Sequence, residues 1–155
     1  MTPMKLHRFA AATEMFTWTV LIVGMILKYS GTTEAVMPFA GGIHGFGFLC
    51  FVAITILLWV NNRWSFAHGI AGLAVSVIPW AAWPYSLWAE RRGLLEGNWR
   101  FRDPAEQPQT LPEKVLAQFV RHPLRSGVIL LVIIAIVFVL LLAMGQPYDP
   151  ESIAG

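Results

Sequence analysis

Seventeen consecutive residues, Val128 to Met144, read VILLVIIAIVFVLLLAM and carry no polar side chain. With Gly127 and Gly145 the run approaches the roughly 20 apolar residues that span a bilayer. A soluble domain has no interior in which to hide such a helix on all sides. The rest of the chain agrees. Of its 155 residues 56% are hydrophobic and 13% charged, and mean hydropathy is +0.59. Soluble domains carry about 25% charged residues. The sequence therefore describes an integral membrane protein. Its net charge of +2 and pI near 9.0 bear mainly on orientation, and no basic surface interleaved with aromatics suggests nucleic acid.

Three further apolar segments precede the last one: about Phe9 to Leu27, Met37 to Val60 and Phe66 to Trp88. Lys5 and Arg8 before the first segment resemble the start of a signal peptide. Lys28 and Tyr29 stand where a cleavage site needs small residues, so the segment is expected to stay in the membrane. The links KYSGTTEAVMP and NNRWS are short, which makes the first three segments one antiparallel bundle. The expected architecture is all-α, a polytopic membrane helical bundle. Residues 1–92 form a three-helix transmembrane domain, 93–126 a basic linker, and 127–155 a separate C-terminal transmembrane helix with a short polar tail.

Within the linker, RDPAEQPQ reads as a loop by its proline and charge content. Thr110 can then cap, and Pro112 open, a short helix. Val115, Leu116, Phe119 and Val120 share one face of it, with Lys114 and Arg121 opposite, a pattern suited to lying on the membrane surface. A solvated linker is the plainer alternative.

Four crossings put Lys28, Arg91, Arg92, Arg100, Arg102, Lys114, Arg121 and Arg125 on one side, and Lys5, Arg8 and Arg63 on the other. The positive-inside rule then predicts a cytoplasmic linker with both termini outside the cell membrane. Arg91, Arg92, Lys114, Arg121 and Arg125 become the membrane-surface basic set.

Ionisable groups inside spans are functional candidates, because a charge there costs several kcal/mol unless paired. They are Glu14, His44 and His68, with Lys28 at a span end. Helical rise puts Glu14 and His68 near the same boundary, so they can pair. A haem held by His44 and His68 would need both rings at one depth, and a zinc site would need three or four convergent ligands. Neither fits, and no cofactor, metal or catalytic residue is expected. Cys50 reads as a small hydrophobe, and nucleophile motifs such as GxSxG are missing.

The run GGIHGFGF, Gly41 to Phe48, surrounds His44 with glycine. Gly41 and Gly45 form a GxxxG pair, the kind of thinned face that lets two helices approach closely. Pro79 and Pro84 should release the carbonyls of Val75 and Trp80 in the third segment. A neutral His44 donating to the Trp80 carbonyl would then lock the second segment to the third. Trp18 and Trp80 are expected to fill the bundle, and the last segment to serve as a lipid-facing anchor or a flank for a partner.

The order HRF…E, KY, GGIHG, a proline in the third segment and LW.ERR resembles a family of small bacterial, mainly actinobacterial, three-helix membrane proteins catalogued as a domain of unknown function. The residues that carry it are Arg8, Phe9, Glu14, Lys28, Tyr29, His44, Gly45 and Pro79, within about Leu6 to Arg92. The resemblance implies fold and membrane location; the linker and last segment lie beyond it.

Two functions remain open. One is a non-catalytic accessory or assembly subunit of a larger bacterial membrane complex, with other integral membrane subunits and membrane lipids as partners. Respiratory supercomplexes and envelope lipid exporters are the natural hosts. The other is a small transporter of protons, cations or small molecules, using Glu14, His44 and His68 and requiring a homo-oligomer. A weaker third is surface sensing by residues 112–122.

Overall fold

A computed structural model describes residues 1–144; the acidic tail, within 145–155, lies outside the described residues. Six helices follow in order: α1 Pro3–Tyr29, α2 Met37–Asn61, α3 Phe66–Ala74, α4 Ala82–Arg91, α5 Leu111–Arg121 and α6 Pro123–Met144. A single 3₁₀ turn, Val75–Val77, follows α3. The all-α membrane bundle holds. Three helices, α1, α2 and α6, are long and apolar enough to cross a bilayer.

The helix ends follow from local chemistry. Thr2 caps α1 by accepting from the Lys5 amide, and Pro3 fills the first position, where no amide partner is needed. At α5 the capping box forms. The Thr110 hydroxyl accepts from the Glu113 amide, and the Glu113 carboxylate accepts from the amides of Gln109 and Thr110 at 2.9 and 3.2 Å.

The third apolar segment departs from expectation. It does not cross; it folds back. Pro79 excludes the helical conformation at Ile78, whose φ and ψ are −108° and 119°. A tight turn follows, closed by the Ala81 amide donating to the Ile78 carbonyl at 3.1 Å, with Trp80 in the left-handed region at φ 59°. Pro84 sits in the first turn of α4, where its missing amide costs nothing. The two prolines thus bound a turn instead of kinking one helix. A straight helix would separate His68 and Trp88 by about 30 Å. Their rings lie 6.0 Å apart.

The α3–α4 hairpin descends beside α2 and returns beside α1. Gly69 faces Trp59, and Gly72 faces Thr55; Ser86 and Glu90 meet His7 and Arg8. At its tip the Trp80 indole donates to the Thr19 hydroxyl, and the Trp18 indole donates to the Ser76 carbonyl. Thr19 stands sixteen residues into α1, so the tip reaches about 24 Å along a helix about 40 Å long. This is a re-entrant hairpin.

Folding back changes the parity of the chain. The linker was expected across the bilayer from the N-terminal end; the two are in contact instead. The Trp99 indole donates to the Met1 carbonyl at 2.7 Å, and Arg8 pairs with Glu90. The linker is also a folded cap on the end of α2. Phe101, buried with a left-handed φ of 61°, packs on Leu116 and Ala117 of α5, with Leu57 and Val60 alongside. The face of α5 therefore rests on protein at Leu116 and Val120, while Val115 stays half exposed.

The last helix docks on α2. Phe138 fills the dent at Gly42 and Gly45, where added Cβ atoms would meet its ring at 3.8 and 3.2 Å. Its ring also meets Phe46 edge-on at 6.0 Å. Ser126 donates to the Gln118 carbonyl and ties the start of α6 to α5. The remaining faces of α6 are exposed and apolar, as for a helix in lipid.

Candidate functional site

The buried face of α1 is its polar face. Pro3, His7, Ala10, Ala11, Glu14, Thr17 and Gly24 point inward, while Phe9, Phe16, Val23 and Ile26 point out. Spacings of three, four and seven put the inward set on one stripe. In a bilayer that inversion is expected, since polar side chains avoid hydrocarbon and meet inside the bundle. They form a seam with two nodes.

The lower node is His7. Its Nδ1 meets the Ser86 hydroxyl at 2.8 Å, and its ring lies among Phe51, Trp64 and Tyr85. Gly72 makes room close by; a Cβ there would lie 3.0 Å from the Thr55 methyl and 3.3 Å from the Tyr85 hydroxyl. His7 Nε2 and Thr55 Oγ1 are buried and have no hydrogen-bond partner among the described residues.

The upper node joins Glu14, Thr17 and His44. The Thr17 hydroxyl donates to the Glu14 carbonyl at 3.0 Å, with the carboxylate Oε2 at 3.4 Å. His44 Nδ1 lies 3.2 Å from the same hydroxyl oxygen. A hydroxyl has one proton. With that proton directed at Glu14, the tautomer of His44 that carries its proton on Nδ1 donates to Thr17. Glu14 Oε1 is buried without a partner among the described residues, and the Trp18 ring lies 4.3 Å from the imidazole.

His44 is thus a tie between helices, but to α1 instead of the third segment. The expected bond to the Trp80 carbonyl is replaced by Thr17, with the Trp18 ring against His44 and its N–H on the Ser76 carbonyl of the hairpin. His68 does not meet Glu14. Its Nδ1 pairs with the Ser65 hydroxyl, the cap of α3, at 2.8 Å, and its ring leans toward Trp88. With His44 facing α1 and His68 at the start of α3, the two imidazoles diverge. Among the described residues no three His, Cys, Asp or Glu side chains come together.

The glycines divide their work. A Cβ at Gly41 would meet nothing within 4 Å among the described residues, Gly45 receives α6, and Gly47 receives Thr17 at 3.0 Å. Gly24 of α1 meets Ala40 at 2.9 Å, so the close approach of α1 and α2 lies outside the GxxxG pair. Lys28 sits at the far end of α1, apart from the seam.

Of the basic set, Arg91, Lys114 and Arg125 are exposed, and Arg92 lies over the Trp88 ring at 5.7 Å. Arg121 donates to the carbonyls of Phe101 and Glu106. The hub of the cap is Arg100. Its guanidinium bonds Glu113 at 2.8 Å, Glu106 at 3.3 Å and the Val60 carbonyl. The Arg100 bond first, then the amides of Gln109 and Thr110, hold the Glu113 carboxyl down at about 2.

The sequence reading missed His7, Thr17, Ser86 and Arg100 as organising residues. His7 had a signal: it precedes Glu14 by one heptad and so shares its face.

Residues 4–91, which hold α1 through α4 and the whole seam, match the domain of unknown function DUF3817. The chain belongs to the DUF3817 family. It is also 30% identical over 111 residues to a Streptomyces coelicolor protein that carries the name of a membrane protein, SCO5905. That alignment covers 70% of this chain and 12% of the relative, so the chain spans about an eighth of the relative's length. No solved structure matches.

Proposed function

We propose that the protein is a non-catalytic accessory or assembly subunit of a larger bacterial membrane complex, with its bundle serving as a docking module. The hairpin tip carries this reading. Val77, Ile78 and Trp80 are 62, 53 and 46% exposed at a depth near the middle of the bilayer, where the chain leaves its 3₁₀ turn and residues 78–81 are irregular. Irregular backbone at that depth is tolerated when protein or a hydrated cavity covers it, and not against lipid. A partner helix seated over the tip and along the open face at Gly41 would supply the cover. The relative points the same way: there, a stretch like this one is an eighth of a longer chain named as a membrane protein. Respiratory supercomplexes and envelope lipid exporters are the candidate hosts.

The chain's ends and links give an orientation. Of eleven Lys and Arg residues, all but Lys28 belong to the end of the bundle that holds the start of α1, the α2–α3 turn and the linker. Eleven less one leaves ten. By the positive-inside rule we infer that this end faces the cytoplasm, with the linker and the N-terminal end together.

Gentle detergent extraction of a tagged chain, followed by mass spectrometry, tests the reading. The expected result is co-purification of other integral membrane proteins, reduced by Ile78→Asp at the tip. A monodisperse monomer, with the abundance of every membrane complex unchanged on deletion, overturns it.

One observation favours a second reading, a proton or cation carrier formed by several copies. Glu14 keeps a buried oxygen, unpartnered among the described residues, beside the Thr17–His44 contact. Flux into liposomes that is lost in Glu14→Gln would establish it; flux indifferent to that change would remove it.

A further inference from the structure

Between the starts of α1 and α6 and the end of α2, the surface opens into a groove of about 430 Å³. That volume lies within the about 300–1,000 Å³ of small-molecule sites. Leu6, Ile54, Leu57 and Leu130 make its walls, and Trp99 and Arg102 stand at its mouth. Ile54 lies seven residues before the end of α2, and Leu130 seven after the start of α6. The apolar walls therefore run about 10 Å inward from the helix ends. The mouth then lies at headgroup level and the walls at acyl level.

Charge at the mouth narrows the occupant. Arg8 is paired with Glu90, and Arg100 with Glu106 and Glu113. Arg121 is spent on backbone carbonyls. Arg102 has no ion pair among the described residues and is exposed beside the apolar walls. Lys5, next to the wall residue Leu6, and Arg125, two residues beyond Pro123 of the lining, add positive charge without acidic partners among the described residues. Trp99 lines the groove with its indole N–H already donated to the Met1 carbonyl, so its ring presents an apolar edge.

We propose that this groove binds an anionic glycerophospholipid, one acyl chain between α2 and α6 and the phosphate against Arg102. Basic sites between membrane helices select anionic headgroups by charge, and each cation near the surface is worth roughly a fivefold preference.

The test reconstitutes the full chain in vesicles of equal phosphatidylglycerol and phosphatidylcholine, extracts it gently and weighs retained lipid by native mass spectrometry. Phosphatidylglycerol should be retained over phosphatidylcholine, and Arg102→Gln should lower that preference roughly fivefold. Leu130→Trp, and Ile54→Trp from the opposite wall, should displace the lipid altogether; two variants on different helices guard against one misfolding. Equal retention of both lipids overturns the proposal. So does a preference that survives Arg102→Gln, or lipid retained by both tryptophan variants.

Discussion

The Tyr85 hydroxyl donates to the backbone carbonyl of His68, seventeen residues earlier, at 3.0 Å. This one bond joins the descending and returning arms of the hairpin near their base. At the tip, the indoles of Trp18 and Trp80 pin the turn to α1. The hairpin is held at both ends by aromatic side chains that reach backbone or hydroxyl groups, as a bilayer interior requires of polar atoms.

Removing the Tyr85 hydroxyl tests that clamp. Tyr85→Phe keeps the ring and leaves the His68 carbonyl with one partner fewer. A net hydrogen bond is worth about 1 kcal/mol, so the unfolding midpoint in mixed micelles should fall by a corresponding amount. No change would mean that the tip bonds of Trp18 and Trp80 and the packing of the arms on α1 and α2 hold the hairpin without this bond.

Membrane topology gives a sharper test. On a Cys50→Ala background, single cysteines at Thr2 and Ala105 should react with an impermeant maleimide from the same face of oriented vesicles. A cysteine at Thr32 should react from the opposite face. A third crossing would put Ala105 with Thr32 instead, and that result would break the hairpin.

Much of this fold was legible. Long apolar runs gave α1, α2 and α6, and Thr110 with Pro112 gave the start of α5. The hairpin was hidden because a largely apolar stretch of 23 residues, 66–88, has the same composition whether it crosses or folds back. Pro79 and Pro84 were visible, but a proline kinks a helix or ends it according to what surrounds it. Here Trp80 takes a left-handed φ and the chain reverses. One error in partner choice descends from that: a straight third helix offers His44 the Trp80 carbonyl. The pairing of Glu14 with His68 has another origin, since a span begun at Phe9 puts Glu14 near its boundary, whereas α1 begins at Pro3 and holds Glu14 about 16 Å in, and His68 is two residues into α3. His7 was lost for a simpler reason. The apolar run begins at Phe9, whereas the helix begins six residues earlier at Pro3, behind the Thr2 cap.

Three glycines should respond in graded fashion. A Cβ at Gly69 would collide with the Trp59 ring, one at Gly45 would lie 3.2 Å from Phe138, and one at Gly41 would meet nothing within 4 Å among the described residues. The Trp59 indole is anchored to the Trp64 carbonyl, so it cannot yield without losing that bond. Gly69→Ala should cost about 1–3 kcal/mol, as overpacking does, and Gly41→Ala should stay within about 0.5 kcal/mol. Gly45→Ala should fall between them and loosen α6. Unfolding in mixed micelles ranks them, and an equal loss at Gly41 would mean that this face is already covered.

The cap should open in acid. Glu113 bonds the Arg100 guanidinium first, then the amides of Gln109 and Thr110, and these interactions lower its carboxyl from 4.5 to about 2. A group whose folded value is depressed binds fewer protons folded than unfolded, so stability falls as pH falls. The contribution is fully present above pH 4.5 and is lost progressively down to about 2. Hydrogen exchange of the α5 amides in nanodiscs should therefore quicken, relative to an unstructured reference peptide, across that window. Glu113→Gln retains a capping-box side chain but gives up the charge facing Arg100. Its α5 should be less protected at neutral pH and should lack this step in acid. If the variant keeps both the protection and the step, the Arg100–Glu113 pair does not hold the cap.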